Sequence, residues 1–169
     1  MKSLIASIAI LGLVGMVVGV GTQAATTADV SATVTAQLIT IAVADGSVDY
    51  GILPINTSAN TVTLGQTQVV TNNSKVNVDL EVKSSDAVGG TQWDLAATNA
   101  ALDDFTHESS PDGSTYTAFN VDNATYTSLA TNIAATGGTQ NLDLRIKTPA
   151  SVTDNELKTI TVTVLATAN

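Results

Sequence analysis

Lys75-Val-Asn-Val-Asp-Leu-Glu-Val-Lys83 is the stretch from which the fold of this chain is read. Val76, Val78, Leu80 and Val82 fall on one face of an extended strand, and Lys75, Asn77, Asp79, Glu81 and Lys83 fall on the other. A period of two separates a core face from a wet face, which a helix with its period of 3.6 cannot do with these residues. Burying four such aliphatic side chains contributes roughly 6–12 kcal/mol before conformational entropy is set against it. Asn141-Leu-Asp-Leu-Arg-Ile-Lys147 repeats the pattern, with Leu142, Leu144 and Ile146 expected inward.

Working outward, the chain between these stretches alternates short strand-like runs with turn residues. Residues 158–167 read as a closing strand with Ile160, Val162 and Val164 inward, and 92–97 as a strand that places Trp93, Leu95 and Ala97 together. Phe105 to Glu108 and Tyr116 to Val121 flank Ser110-Pro-Asp-Gly113, a turn sequence, and so form a hairpin. Val48, Tyr50 and Ile52 predict a strand that Pro54 stops. Short extended pieces are expected at 61–64 and 67–71, and 126–133 fits either a strand or a turn of helix. Nine to ten short strands, turn signals every 8–12 residues and no convincing helix predict an all-β fold: an antiparallel β-sandwich, immunoglobulin-like or jelly-roll-like.

The first 24 residues are expected to lie outside that fold. Lys2, the apolar run from Leu4 to Val20 and the small residues of Thr22-Gln-Ala24 have the three parts of a secretory signal peptide, with a retained N-terminal anchor as the alternative. Residues 25–169 then form a single sandwich domain, within which 25–44 is a candidate exchangeable N-terminal strand. The expected location is secreted, extracellular or at the cell surface, with membrane contact only through the signal segment before cleavage.

Composition narrows the function further. The chain of 169 residues has 6 basic and 15 acidic residues, a net charge of −9, and no cysteine. Loss of Lys2 leaves 5 basic against 15 acidic residues, or −10. Such a surface repels phosphate backbones, so no nucleic-acid partner is expected. Absence of cysteine excludes a disulfide framework, which suits an exported prokaryotic protein.

No catalytic, cofactor-binding or metal site is predicted. His107 is the one histidine, without a second histidine or a cysteine to build a zinc site, and it reads as a partly exposed hairpin residue. Asp103, Asp104, Asp112, Asp122 and Asn123 offer oxygen ligands of the kind calcium prefers, but without EF-hand spacing; solvated turn acids are the simpler reading. Asn56, Asn72 and Asn123 begin N-glycosylation sequons in expected loops. Trp93, with Leu95 beside it on the same face, is either an anchor of the core or an exposed contact for a glycan or partner.

Gly89-Gly90 before Trp93-Asp-Leu95, with Val48-Asp-Tyr-Gly51 upstream, resembles the WxL-type surface domains of Gram-positive bacteria. That resemblance implies a cell-surface β domain attached non-covalently to the wall, although the second Trp-x-Leu motif of the family is missing here. The overall pattern also resembles TasA/camelysin-like and archaeal bundling-pilus subunits. It implies a filament in which the N-terminal strand of one subunit, here Val30, Ala32, Val34 and Ala36, completes the sheet of its neighbour. The function expected is a secreted, non-enzymatic structural protein of a filament or surface layer that self-associates by β-strand pairing. The alternative is a wall- or glycan-binding β domain. No residue from Val30 to Ala44 is charged.

Overall fold

The alternation of residues 75–83 becomes the central strand of a three-stranded sheet. In the computed structural model, which describes residues 31–169, β4 (Val78–Ser84) buries Val78, Leu80 and Val82 completely or nearly so, and Val76 precedes it half-buried. Antiparallel partners flank it on both edges: β10 (Val162–Ala168) with Val164 opposite Val82, and β8 (Thr127–Ile133) with Ile133 opposite Val78. The stretch that fitted strand or helix is thus a strand, and its Leu129 and Ile133 join the core.

The second sheet is built on β9 (Gly138–Lys147), whose Leu142, Leu144 and Ile146 turn inward as expected. Ten residues are long enough for β9 to take two strands in succession along one edge: β3 (Gln68–Asn72) against its first half and β2 (Ser58–Asn60) against its second. On its other edge it pairs with β6 (Asp104–Ser110), which in turn takes β7 (Thr117–Ala118) through the hairpin read at Ser110–Gly113. β1 (Ile41–Val43) adds to β3, and β5 (Asp94–Leu95) runs parallel to β6. Seven strands in one sheet face three in the other, and the two apolar faces close on Phe105, Leu95 and the aliphatic rows of β4 and β9. The fold is all-β and sandwich-like, with ten strands among the described residues, and its compact unit spans Ala36–Asn169. The signal-peptide reading, and Val30 with it, lie outside the described residues.

Four local readings are corrected. Thr61–Leu64 is a single helical turn, α1, between β2 and β3, not an extended piece. Asn60 caps its start by accepting from the Thr63 N–H, and Gly65 closes its end in the left-handed conformation at φ 66°. The turn carries Thr61 inward to the seam on β9 between β3 and β2. There the Thr61 hydroxyl accepts the Leu144 N–H and donates to Asp143, taking over a ladder bond that no strand can supply. Residues 48–53 form no strand. Gly51, at φ 67°, redirects the chain so that Ile52 is fully exposed while Val48 and Tyr50 pack on the core. The strand around Trp93 is only Asp94–Leu95, and Ala97 is exposed.

The fourth correction concerns Asn72, which is not a loop residue but ends β3 at 1% exposure. Its amide donates to the carbonyls of Val76, Ile133 and Ala134 and its oxygen accepts the Ser74 N–H, tying the two sheets together where both turn. A side chain so occupied cannot serve as a glycan acceptor. Asn56 is exposed and Asn123 half-buried.

Candidate functional site

The sandwich is unequal, and its candidate site follows from that inequality. β10 pairs with β4 along one edge, and among the described residues no strand pairs with the other. Val162, Val164 and Ala166 point toward the core but stay half-buried, whereas their neighbours on β4 are sealed. Beside that edge lies a slot of about 910 Å³. Leu142, Leu144 and Ile146 of β9 form its floor, β10 one wall and a strap of residues 46–55 the other. The strap is no strand, yet it is held like one. The Gln66 side chain exchanges two hydrogen bonds with the backbone of Asp49, and the Gln68 amide accepts from Gly46 N–H and donates to Ser47 C=O.

A row of rings crosses the interior beneath it. Trp93, Phe105, His107 and Phe119 follow one another with centroids 5.1–6.4 Å apart, and Tyr50 meets His107 edge-on. Scarce aromatics are thereby spent on one continuous contact. His107 is 2% exposed in β6, which corrects its reading as a partly exposed hairpin residue. Burial lowers its pKa from 6.5 to about 3, so the ring is neutral. Nε2 lies 3.3 Å from the Tyr50 hydroxyl and Nδ1 2.8 Å from Ser84 Oγ. The proton pattern that satisfies every group runs one way: Tyr50 O–H donates to Nε2, Nδ1–H donates to Ser84 Oγ, and Ser84 donates to the Ser85 carbonyl. Burial raises the Tyr50 pKa well above its ordinary value, which keeps that hydroxyl a donor. Ser84 is 1% exposed, so its pairing with His107 serves to fix Tyr50 in the strap and presents no hydroxyl to a substrate.

Trp93 closes one end of the slot. It is half-buried and packs against Phe105 at the margin of the core, with Leu95 buried next to it at 5% exposure. Yet Trp93 also lines the slot, and its indole N–H is buried without a hydrogen-bond partner among the described residues. The Lys158 ammonium sits 5.5 Å from the ring centre and donates to the Gly89 and Thr91 carbonyls and to Asp154. Asp154 is held below the usual carboxylate range, first by Lys158 and then by the Thr91 and Glu156 N–H groups. Gly89, at φ 127°, is required here: a Cβ would stand 2.0 Å from the Leu157 carbonyl oxygen. The Gly89-Gly90 step thus lets two loops touch behind Trp93.

The acids considered for calcium are not brought together. Asp103 accepts from Thr153 in a loop 50 residues away, whereas Asp112 accepts from Ser114, Thr115 and Ser110, and Asp122 from Ala124 and Thr125, each of these two closing its own loop. Among the described residues no three His, Cys, Asp or Glu side chains are placed to share a metal ion.

Of the candidate donor strand, Ala32, Val34 and Ala36 are described. Residues 31–40 form no strand and all ten are exposed, Val34 at 95% and Leu38 at 80%. Sequence reasoning missed the slot because its walls are far apart in the chain. Two signals pointed toward it: the uncharged N-terminal run, and a closing strand with no charged residue after Lys158. Comparison of the chain with protein-family models, with curated proteins and with solved structures finds no match.

Proposed function

We propose that this protein is a secreted structural subunit of the cell surface that self-associates by β-strand pairing, in a filament or surface layer. One observation carries the reading: a run of alternating apolar and hydroxyl or amide residues, 31–38, is exposed and, among the described residues, neither it nor the outer edge of β10 in the smaller sheet has a strand partner. A free sheet edge is a template for another strand, and proteins that do not use such an edge blunt it with charge, proline or a bulge. β10 has none of these: Val162-Thr-Val-Leu-Ala-Thr-Ala168 is uncharged throughout. The outer face of β4, by contrast, mixes Asp79, Glu81 and Lys83.

The alternative, wall or glycan binding centred on Trp93, would need an accessible ring face on which a sugar can stack. Phe105 and the Lys158 ammonium already lie against that ring, which favours assembly. Negative-stain electron microscopy of the exported protein at neutral pH tests the proposal. Polymers or sheets are expected. Particles of single-domain size at every concentration up to the millimolar range would overturn it.

A further inference from the structure

Going beyond the assembly reading, we infer that the slot between β10 and the strap binds a neutral, elongated apolar molecule with one acceptor oxygen, such as a long-chain alcohol or its ester. Its volume of about 910 Å³ lies in the range of sites that enclose small ligands. Leu142 and Leu144 line it below, Val162 and Val164 on β10, and Val48 and Leu53 on the strap. The last four are only half-buried, so they still have apolar surface to cover. The polar side chains of the lining, by contrast, are already spent. Gln68 bonds the strap, Thr148 donates to the Pro54 carbonyl, and Tyr50 is paired with His107. Lys158 donates to Gly89, Thr91 and Asp154, which uses its three protons. Affinity must therefore come from burying a chain. One donor is left over, the buried indole N–H of Trp93, and a single oxygen at that end of the ligand would satisfy it.

Charge decides the class of ligand. Asp49 on the strap and Glu156 ahead of β10 line the slot as exposed carboxylates. Among the described residues neither has a basic side chain within ion-pair distance. An anionic headgroup would meet both, in a chain of net charge −9. An ammonium headgroup cannot accept from the indole N–H, and at that end it would face the Lys158 ammonium, 5.5 Å from the ring centre. A neutral oxygen meets neither objection. Exposed Ile52 and Leu157 carry the apolar lining out to the mouth. Every lining residue falls within 43–164, outside the N-terminal run, so this site is tested separately from strand pairing.

Trp93 is the single tryptophan, so its emission reports on the slot. The full exported chain is titrated with 1-decanol, with decanoate ionised at neutral pH, and with decyltrimethylammonium, each below its micelle concentration. The expected result is a saturable change in Trp93 emission with 1-decanol, and binding of both charged probes weaker by about tenfold or more. Trp93→Phe keeps an aromatic ring and loses the N–H; by calorimetry it should bind 1-decanol about fivefold more weakly. Val164→Phe fills the slot and should abolish binding, with Val162→Phe as a second filling variant should the first fail to fold. Asp49→Asn/Glu156→Gln should bring decanoate closer to 1-decanol in affinity. No saturable response to 1-decanol would overturn the site, and equal affinity for decanoate would overturn the neutral class. A response that persists in a folded filling variant would overturn the location. Polymers in electron microscopy without any 1-decanol response would sink this inference and leave the assembly reading standing.

Discussion

Removing residues 26–36 should leave a folded monomer. The core is drawn from β3 onward: Val70, Val78, Leu80, Val82, Phe105, Leu142, Leu144 and Ile146 all lie beyond the deletion, and the partly buried Ile41 that packs on them is retained. The described part of the deleted run, residues 31–36, makes no strand and every one of its residues is exposed, so little stability is expected to be lost with it. Thr40, which is kept, still donates to Ser74 Oγ and accepts the Asn73 N–H, so β1 remains anchored. The denaturant midpoint should therefore move by less than an error bar, about 0.5 kcal/mol in stability, while assembly falls to nothing in sedimentation and electron microscopy. A shortened protein that still assembles refutes strand donation. One that unfolds shows that the segment belongs to its own domain.

Acidification from pH 7.5 to 4.5 should cost the folded domain about 2–3 kcal/mol, nearly all of it through His107. The folded pKa is depressed to about 3, so the native ring stays neutral over this whole range. The unfolded chain takes up its proton as pH falls through 6.5. Stability is therefore fully present above pH 6.5 and falls by about 1.4 kcal/mol per unit below it, until the native ring itself titrates. Asp112, Asp122 and Asp154 have folded pKa values lowered by their hydrogen bonds, and they destabilise in the same direction only below the ordinary aspartate range. The interval above pH 4.5 therefore reports the one histidine. Urea unfolding at several pH values measures it. His107→Gln, which keeps a donor and an acceptor for Ser84 and Tyr50, should be less stable at pH 7.5 but flat across the interval. An unchanged slope in that variant would contradict the assignment.

The two sheets were legible because period-two alternation is a property of a strand alone. Residues 75–83 and 141–147 announce their buried faces whatever they pair with, and both lie where the alternation puts them. The strap was misread for a related reason. Val48, Tyr50 and Ile52 alternate correctly, but one positive-φ glycine between the second and third turns Ile52 out to solvent. Asn72 and His107 were misread because their partners are distant. The carbonyls that Asn72 holds lie up to 62 residues away, and His107 meets groups 23 and 57 residues off. Thr61 became a helical residue because Asn60 and Gly65 cap the turn and a buried carboxylate on β9 receives its hydroxyl. The place of the slot could not be read from alternation: an open edge is a statement about which strands are neighbours, and alternation carries no neighbour list.

The account turns on whether an exposed, unpaired segment becomes a strand on the edge of β10 when subunits meet. Amide hydrogen exchange, followed by mass spectrometry on monomer and on assembled protein, reads this directly. The prediction is that residues 32–38, and those amides of residues 162–168 that point away from β4, exchange fast in the monomer and become protected by a factor of about 100 or more in the assembly, while β8 and β1 are unchanged. Assembled protein in which residues 32–38 still exchange as fast as an unstructured chain would contradict it.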